Sequence, residues 1–146
     1  MMRRLILALP ALAPLMLGAN APSATSTLKG VYSDEQAQAG AQLYATRCAM
    51  CHGRQLEGTY DTPGLQSRFI ASWNKVPLSE LYDYLGRAMP QFAPGSLKPD
   101  ETARILAYLL KANAQPAGAQ PLPADSAALR RILLEPVSAK AVPKTK

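Results

Sequence analysis

The sequence predicts an all-α domain with several loops. Within the 146 residues, apolar positions recur at helical spacing in three segments. No segment of useful length alternates between apolar and polar residues as a half-buried strand does. The apolar fraction of 48% is too high for a disordered chain, whereas 13 prolines and 9 glycines argue against one long helical bundle. We therefore expect one compact domain of ordinary size.

The first 21 residues have the composition of an export signal. A basic start precedes an apolar run of 13 residues, 5–17, and small residues follow with an A-x-A cleavage pattern at residues 19–21. The run is shorter than the ~20 apolar residues that a membrane span needs, so an uncleaved anchor is the less favoured alternative. We expect residues 1–21 to be a signal peptide, with cleavage after Ala19 or Ala24 as alternatives, and the mature protein to be periplasmic.

The first helix is expected to begin after Ser33, behind a linker formed by residues 22–32. Ser33 is a favourable N-cap, Gln36 completes a capping box, and two acidic residues lie at the positive end of the helix. The helix should run to about Cys48, with Gly40 in its middle. Because glycine costs roughly 1 kcal/mol relative to alanine inside a helix, its presence here indicates that another backbone or ring comes close.

Two further helices are expected after a loop that starts at Gly53. The second should begin near Ser79, and its apolar face consists of Leu81, Leu85 and Ala88. The third should begin at Pro99, a residue favoured at the first helical position, and should fade near Asn113.

Residues 114–146 differ in composition from the preceding domain. Prolines interrupt this segment, and it has a net charge of +3, whereas residues 25–113 have a net charge of only +1. One helical stretch is expected over residues 126–134. Segments that bind nucleic acid usually interleave aromatic residues with basic ones, and this segment has none. We expect a solvated Pro/Ala-rich extension with one short packing helix rather than a docking arm.

Both cysteines and the single histidine lie in five consecutive positions, Cys48-Ala49-Met50-Cys51-His52. The C-x-x-C-H spacing places two thiols one helical turn apart, where both can add to the vinyl groups of a haem while the imidazole binds the iron. A zinc site would need further Cys or His ligands. A thioredoxin-like dithiol expects a βαβ context, and a structural disulfide would leave His52 unexplained. The motif predicts covalent haem c.

Met89 is the candidate for the second axial position of the haem iron. Of the five methionines, three lie in the leader, and Met50 lies between the haem cysteines, where it cannot reach the opposite face. Met89 follows the second helix, and Pro90 ends that helix and stiffens the loop that carries the sulfur. The alternative is that Met89 only fills the core, as most methionines do.

Together, these residues resemble those of the class I cytochromes c. Gly40 and Tyr44 match the family's first-helix positions, and Tyr108 matches the ring packed against them. Pro63 resembles the proline whose carbonyl accepts a hydrogen bond from Nδ1 of the proximal histidine, here His52. The resemblance covers residues 33–134 and implies a haem domain over residues 33–113.

The segment around Met89 gives a narrower likeness. Met89-Pro90 matches the family's Met-Pro pair, and the run to Leu97 resembles cytochromes allied with quinoprotein (PQQ-dependent) dehydrogenases. Lys98 departs from the Ser or Thr cap that relatives carry before the third helix. The resemblance implies three main helices around one covalently bound haem, with a Pro/Ala-rich C-terminal extension.

One-electron transfer is the function that this ligand set favours. With His52 and Met89 both bound, the iron has no open position for a substrate, so we expect an electron-transfer protein without catalytic residues rather than an enzyme. Trp73 is a candidate hydrogen-bond donor to a haem propionate. The expected lining of the haem crevice is Leu56, Leu65, Phe69, Trp73, Leu85 and Phe92.

The expected partners are other redox proteins of the periplasm. The chain would accept electrons from a dehydrogenase, with a quinoprotein dehydrogenase as one candidate, and pass them to an oxidase or cytochrome of the respiratory chain. The near-neutral body favours an apolar docking face around Met89, Phe92 and Pro94. We expect neither a nucleic-acid partner nor membrane contact after signal cleavage. The alternative is a haem enzyme or ligand sensor in which Met89 dissociates to open the iron.

Overall fold

The computed structural model describes residues 25–66 and 68–137. The expected signal peptide and the last residues of the C-terminal segment lie outside these ranges. The described residues form mostly helix, and the predicted all-α fold class is confirmed. The helices are α1 (Asp34–Arg47), α2 (Ala49–His52), α3 (Arg68–Ser72), α4 (Leu78–Ala88), α5 (Pro99–Ala112) and α6 (Ser126–Leu129). A 3-10 turn (Thr27–Lys29) and two short strands, β1 (Thr25–Ser26) and β2 (Ile132–Leu133), complete the elements.

Helix α1 begins after Ser33 as predicted and packs most extensively against α5. The Ser33 hydroxyl accepts a hydrogen bond from the Gln36 N–H at 3.2 Å, which caps the helix. At the crossing, a side-chain carbon on Gly40 would overlap the carbonyl oxygen of Arg104 in α5. The expectation that another backbone comes close to Gly40 is therefore confirmed.

Helices α4 and α5 lie where the sequence predicts them. Helix α4 begins one residue earlier than expected, at Leu78, and α5 begins at Pro99. Lys98 cannot cap α5 with its side chain, because an ammonium group only donates hydrogen bonds. Instead, the Glu101 carboxylate accepts a hydrogen bond from the Lys98 N–H at 2.9 Å and so supplies half of a capping box.

The C-terminal segment packs against the domain, so the expectation of a solvated extension is wrong for its described part. Four of its apolar side chains are fully or nearly buried: Leu122, Leu129, Ile132 and Leu134. The Gln36 amide donates to the Leu122 carbonyl oxygen at 2.8 Å and accepts from the Leu122 N–H at 2.7 Å. Leu129, Ile132 and Leu134 fall within the expected short packing helix, whereas Leu122 lies between prolines outside it, and no local pattern revealed its burial.

The expected helix over residues 126–134 ends at Leu129, because the chain beyond it pairs with other segments. Strand β2 lies parallel to β1, with Thr25 opposite Ile132. The Leu134 N–H also donates to the Val76 carbonyl oxygen at 3.0 Å. Part of the expected linker is likewise packed, since Thr27 and Tyr32 are buried. None of the helices in the described ranges has the length and apolar character required to cross a membrane.

Candidate functional site

The four predicted ligand residues come together at one cavity of about 480 Å³. Cys48 follows α1, Cys51 and His52 belong to α2, and Met89 directly follows α4. A second cavity of about 350 Å³ is also lined by His52 and Met89, so the two cavities adjoin. Cofactor sites commonly have volumes of this order. The residues named by the sequence and a cofactor-sized space therefore coincide.

Cys48, the N-cap of α2, and Cys51 within α2 place two thiols one helical turn apart. The N–H groups of Cys51 and His52 donate to the Cys48 carbonyl oxygen at 3.1 and 2.9 Å. Cys48 is half-buried and Cys51 is exposed. Burial raises the pKa of the Cys48 thiol to about 11, although the Arg47 guanidinium acts in the opposite direction. Both thiols line the cavity at the spacing that attachment to two vinyl groups requires.

A backbone carbonyl orients the imidazole of His52. Its Nδ1 lies 2.9 Å from the Pro63 carbonyl oxygen and donates to it, because a carbonyl oxygen can only accept. The proton on Nδ1 leaves Nε2 with a lone pair for a metal ion. Pro63 is the residue that the resemblance implied for this contact.

Two glycines allow the loop after His52 to cross over itself and so place Pro63. A side-chain carbon on Gly58 would lie 2.5 Å from the loop's own backbone, and one on Gly64 would lie 2.9 Å from the Glu57 carbonyl oxygen. Gly58 also has a φ of 76°, in the left-handed region that L side chains avoid. Its N–H donates to the His52 carbonyl oxygen at 2.8 Å, which closes the loop.

Met89 is the C-cap of α4, at the point where the chain leaves the helix. Its N–H donates to the Leu85 carbonyl oxygen at 3.0 Å, and its half-buried side chain lines both cavities. The next residue, Pro90, is buried, and the peptide bond between them is cis. The thioether therefore lies at the wall of the cavity that also holds the His52 imidazole.

The expected crevice lining is largely found at the cavity walls. Five of its residues line one or both cavities: Leu65, Leu85, Phe92, Phe69 and Trp73. Leu56 lines neither; it is buried in the loop, with a left-handed φ of 61°. Phe92 is 62% exposed, so it forms the rim of the first cavity rather than its interior.

Sequence reasoning missed several residues that line the cavities, among them Tyr84, Arg47 and Arg68. Tyr84 lines both, and its ring centroid lies 6.1 Å from that of Trp73. Arg47 lines the first cavity and Arg68 the second. Tyr84 lies three residues after Leu81 on one helix, and this spacing could have identified it. Arg68 gave no signal, because it belongs to the five-residue α3, which the sequence pattern did not predict.

The donor set and the charges of the walls fit haem c. A thioether, an imidazole with a hydrogen-bonded second nitrogen, and two thiols one turn apart are the groups that hold this cofactor. The walls are otherwise mostly apolar. In the second cavity, the Arg68 guanidinium and the Trp73 indole N–H are donors that suit carboxylates such as haem propionates. Within the described ranges, no group of three or more His, Cys, Asp or Glu side chains is arranged to hold a metal ion.

Residues 35–109 match the family model described as "Cytochrome C oxidase, cbb3-type, subunit III". The chain belongs to this family. The predicted likeness to class I c-type cytochromes is confirmed, and the cofactor of this cytochrome is covalently bound haem c with its iron. Haem-based electron transfer is accordingly the function of the domain.

One solved structure similar to this cytochrome is the sulfane dehydrogenase SoxCD from Paracoccus pantotrophus. The identity is 25%, the match covers 90% of this chain and 68% of that chain, and the TM-score is 0.49. No curated protein matches the cytochrome significantly.

Proposed function

We propose that this cytochrome is a one-electron carrier of the bacterial periplasm in which Cys48 and Cys51 hold the haem and His52 and Met89 bind its iron. The observation that carries the proposal is that all four side chains line one cavity. Residues 1–21 would direct export and be removed, and residues 33–113 would form the haem domain, with residues 114–146 as a C-terminal extension. A bound haem supplies a couple between ferric and ferrous iron, which stores and releases one electron.

His52 sets one side of the iron environment. The Pro63 carbonyl holds its Nδ1–H at 2.9 Å, which fixes the tautomer and orients the ring. The same hydrogen bond makes Nε2 a better donor to the metal, because it shifts electron density toward the unprotonated nitrogen.

Met89 would supply the second protein ligand of the iron. A thioether is a soft ligand that favours ferrous iron, so it raises the midpoint potential relative to a second imidazole. The apolar walls, which include Leu85 and Leu109, act in the same direction because they exclude the water that would stabilise the more highly charged ferric form. If His52 and Met89 both bound the iron, no position would remain for a substrate. This supports a carrier over the alternative of a haem enzyme or sensor opened by dissociation of Met89.

Absorption spectra of the purified holoprotein test the ligand assignment. Met89→Ala should abolish the weak sulfur-to-iron band at the red end of the ferric spectrum, lower the midpoint potential and admit external ligands. Met50→Ala is the matched control: Met50 lines the same cavity but is 76% exposed and lies between the two thiols. An unchanged ferric spectrum in Met89→Ala would remove this residue from the iron.

We further propose that the rim of the first cavity is the docking face for the redox partner, a periplasmic dehydrogenase as electron donor. Met50 and Phe92 are exposed apolar residues on this rim, and the charges of Arg47 and Asp61 balance each other there. Pro94 is exposed two residues beyond Phe92. Transient redox interfaces are small, so a few apolar contacts of this kind can guide docking.

Kinetics of reduction by the partner test the docking face. The rate should depend only weakly on salt while the Debye length falls from ~30 to ~8 Å, whereas a tenfold drop would show that charge guides docking. Phe92→Ala should slow reduction by the partner several-fold when the variant carries as much haem as the wild-type protein. Tyr60→Ala should not, because Tyr60 is fully exposed but lines neither cavity.

A further inference from the structure

Asn113 ties the end of α5 to the loop that orients His52. Its side-chain Nδ2 donates to the Leu65 carbonyl oxygen at 2.8 Å and to the Leu109 carbonyl oxygen at 2.8 Å. The first bond joins positions 48 residues apart in the chain, and the second anchors the amide to its own helix. Asn113 is half-buried, so water competes only partly for these bonds.

The backbone of Leu65 is hydrogen-bonded through both its N–H and its carbonyl group. Its N–H donates to the Leu56 carbonyl oxygen at 2.8 Å, and its carbonyl accepts from Asn113. Leu65 follows Pro63 by two residues, and Gly64 between them has no room for a side chain beside the Glu57 carbonyl. The Leu65 and Pro63 carbonyl groups are therefore joined by a short, crowded segment.

Helix α5 gives Asn113 a firm position. The close backbone contact of Gly40 in α1 with Arg104 in α5 fixes the two helices against each other. At its end, α5 is closed by hydrogen bonds from the Asn113 N–H to the Leu109 and Leu110 carbonyl oxygens at 3.2 and 3.1 Å. Asn113 thus lies at the end of a helix that belongs to the most extensively packed helix pair of the described residues.

We propose that Asn113 is a positioning residue for His52. Through Leu65 it holds the Pro63 carbonyl against the Nδ1–H of His52, and so it sets how strongly the imidazole donates to the iron. The strength of a hydrogen bond depends steeply on its length and angle, and the outer partner of a ligating histidine sets its orientation and basicity. This inference rests on the proposed function, in which His52 is an iron ligand.

The competing role for Asn113 is to end α5 and nothing more. Its bond to Leu109 belongs to that role, whereas its bond to Leu65 does not. The two roles differ in what loss of the amide does. Loss of a helix cap lowers the stability of the whole domain, so all buried N–H groups exchange faster by a similar factor. Loss of a positioning contact also weakens the His52–Pro63 hydrogen bond, so the His52 Nδ1–H gains more in exchange rate than the other buried groups do.

Hydrogen exchange of the His52 Nδ1–H, followed by NMR in the ferrous holoprotein, separates the two roles. The test variant is Asn113→Leu, which has a similar size, no charge and no donor. The matched control is Gln115→Met, which removes the bond of a neighbouring buried amide to the Glu135 carbonyl oxygen. Exchange of the Leu106 backbone amide in α5 reports the change in overall stability.

In Asn113→Leu, exchange of the Nδ1–H should rise about tenfold more than exchange of the Leu106 amide, because a buried carbonyl has lost its donor. In Gln115→Met, the two rates should rise by the same factor. The midpoint potential should rise in Asn113→Leu only, since a weaker imidazole donor stabilises ferric iron less. Asn113→Gln keeps the amide and should restore most of the protection.

The positioning role is overturned if, in Asn113→Leu, the exchange rates of the Nδ1–H and of the Leu106 amide rise by the same factor and the midpoint potential is unchanged. If Asn113→Leu does not fold, Asn113→Ser replaces it, because a hydroxyl on one carbon is too short to keep the bond to Leu65. A wild-type protein without a low-spin His/Met spectrum would overturn the proposed function and this inference together. A low-spin His/Met spectrum in the wild-type protein, together with an unchanged ratio of the Nδ1–H exchange rate to the Leu106 exchange rate in the variants, would overturn this inference but not the proposed function.

Discussion

Two regions of this cytochrome close their cores by different means. Residues 25–36 and 115–135, here termed the terminal belt, fill their space with the chain's own side chains and backbone hydrogen bonds. The Tyr32 hydroxyl, for example, donates to the Gln115 carbonyl oxygen at 2.7 Å, and the Gly118 N–H donates to the Tyr32 carbonyl oxygen at 2.7 Å. The region between α2, α4 and α5 instead surrounds two adjoining cavities. The belt is held by contacts of the chain with itself and with the helices it packs against, whereas the haem of the proposed function would fill the cavity region.

The largest expected effect follows from removing the haem attachment. If Cys48 and Cys51 hold the haem as proposed, the double variant Cys48→Ala with Cys51→Ala removes the group that would fill the cavity region, and a single small domain has little core to spare. We expect loss of the cooperative thermal transition and of most helical circular dichroism. A haem-free chain that unfolds cooperatively with native helix content would show that the cavity region also closes by itself.

A smaller loss of stability should follow from adding a side-chain carbon where α1 and α5 cross, because this crossing supports both regions. Gly40→Ala places a carbon against the Arg104 carbonyl oxygen and should lower the free energy of unfolding by about 3 kcal/mol. Gly86→Ala is the matched control inside α4, where the nearest atom lies at 3.7 Å, and it should raise stability by about 0.5–1 kcal/mol. Chemical denaturation of both holoproteins measures the difference, and equal effects would contradict the close packing at Gly40.

The terminal belt can be weakened without touching the cavities. Gln36→Met removes both hydrogen bonds to the backbone of Leu122 and should lower the free energy of unfolding by about 1–2 kcal/mol. The absorption spectrum and the midpoint potential should stay unchanged, because Gln36 lines neither cavity. Gln38→Met, at an exposed position on the same helix, should change neither property. A shifted potential in Gln36→Met would mean that the two regions are coupled.

The smallest effect is expected at the junction where α5 passes into the belt. Ala114 has a φ of 59°, a left-handed conformation in which glycine is favoured over residues with a side chain. Ala114→Gly should therefore raise the free energy of unfolding by about 0.5 kcal/mol. Ala112→Gly, at the last helical position of α5, should lower it by a similar amount. Denaturant midpoints resolve changes of this size, and destabilisation by Ala114→Gly would contradict the backbone geometry.

The sequence predicted the three longest of the described helices, α1, α4 and α5, because local residues determine where they begin. Ser33 and Pro99 mark the starts of α1 and α5 through their own preferences for the first turn. The C-x-x-C-H motif and Met89 were also identifiable from local spacing and from the small number of candidates. Gly40 gave an indirect signal, because a glycine in a helix needs a reason that lies outside the helix.

The sequence did not reveal contacts whose partners lie far away in the chain. Leu122 and Leu134 are buried by segments that precede them by tens of residues, and their irregular spacing between prolines resembles that of a solvated tail. The hydrogen bond from Asn113 to Leu65 could not be predicted from the sequence either, since neither residue has a local feature that indicates the other. Such contacts depend on how the elements pack and not on any one segment.

The parallel pairing of β1 with β2 determines how the domain would carry mechanical load. Because Thr25 lies beside Ile132 in strands that run in the same direction, the chain enters this pair at one end and leaves it at the other. A pull on the two ends would slide the strands along each other, so it would load the Thr25–Arg131 bond at 2.8 Å and the Glu135–Thr27 bond at 3.1 Å together. Tension between the two ends of residues 25–137 would therefore load these hydrogen bonds in shear rather than one after another.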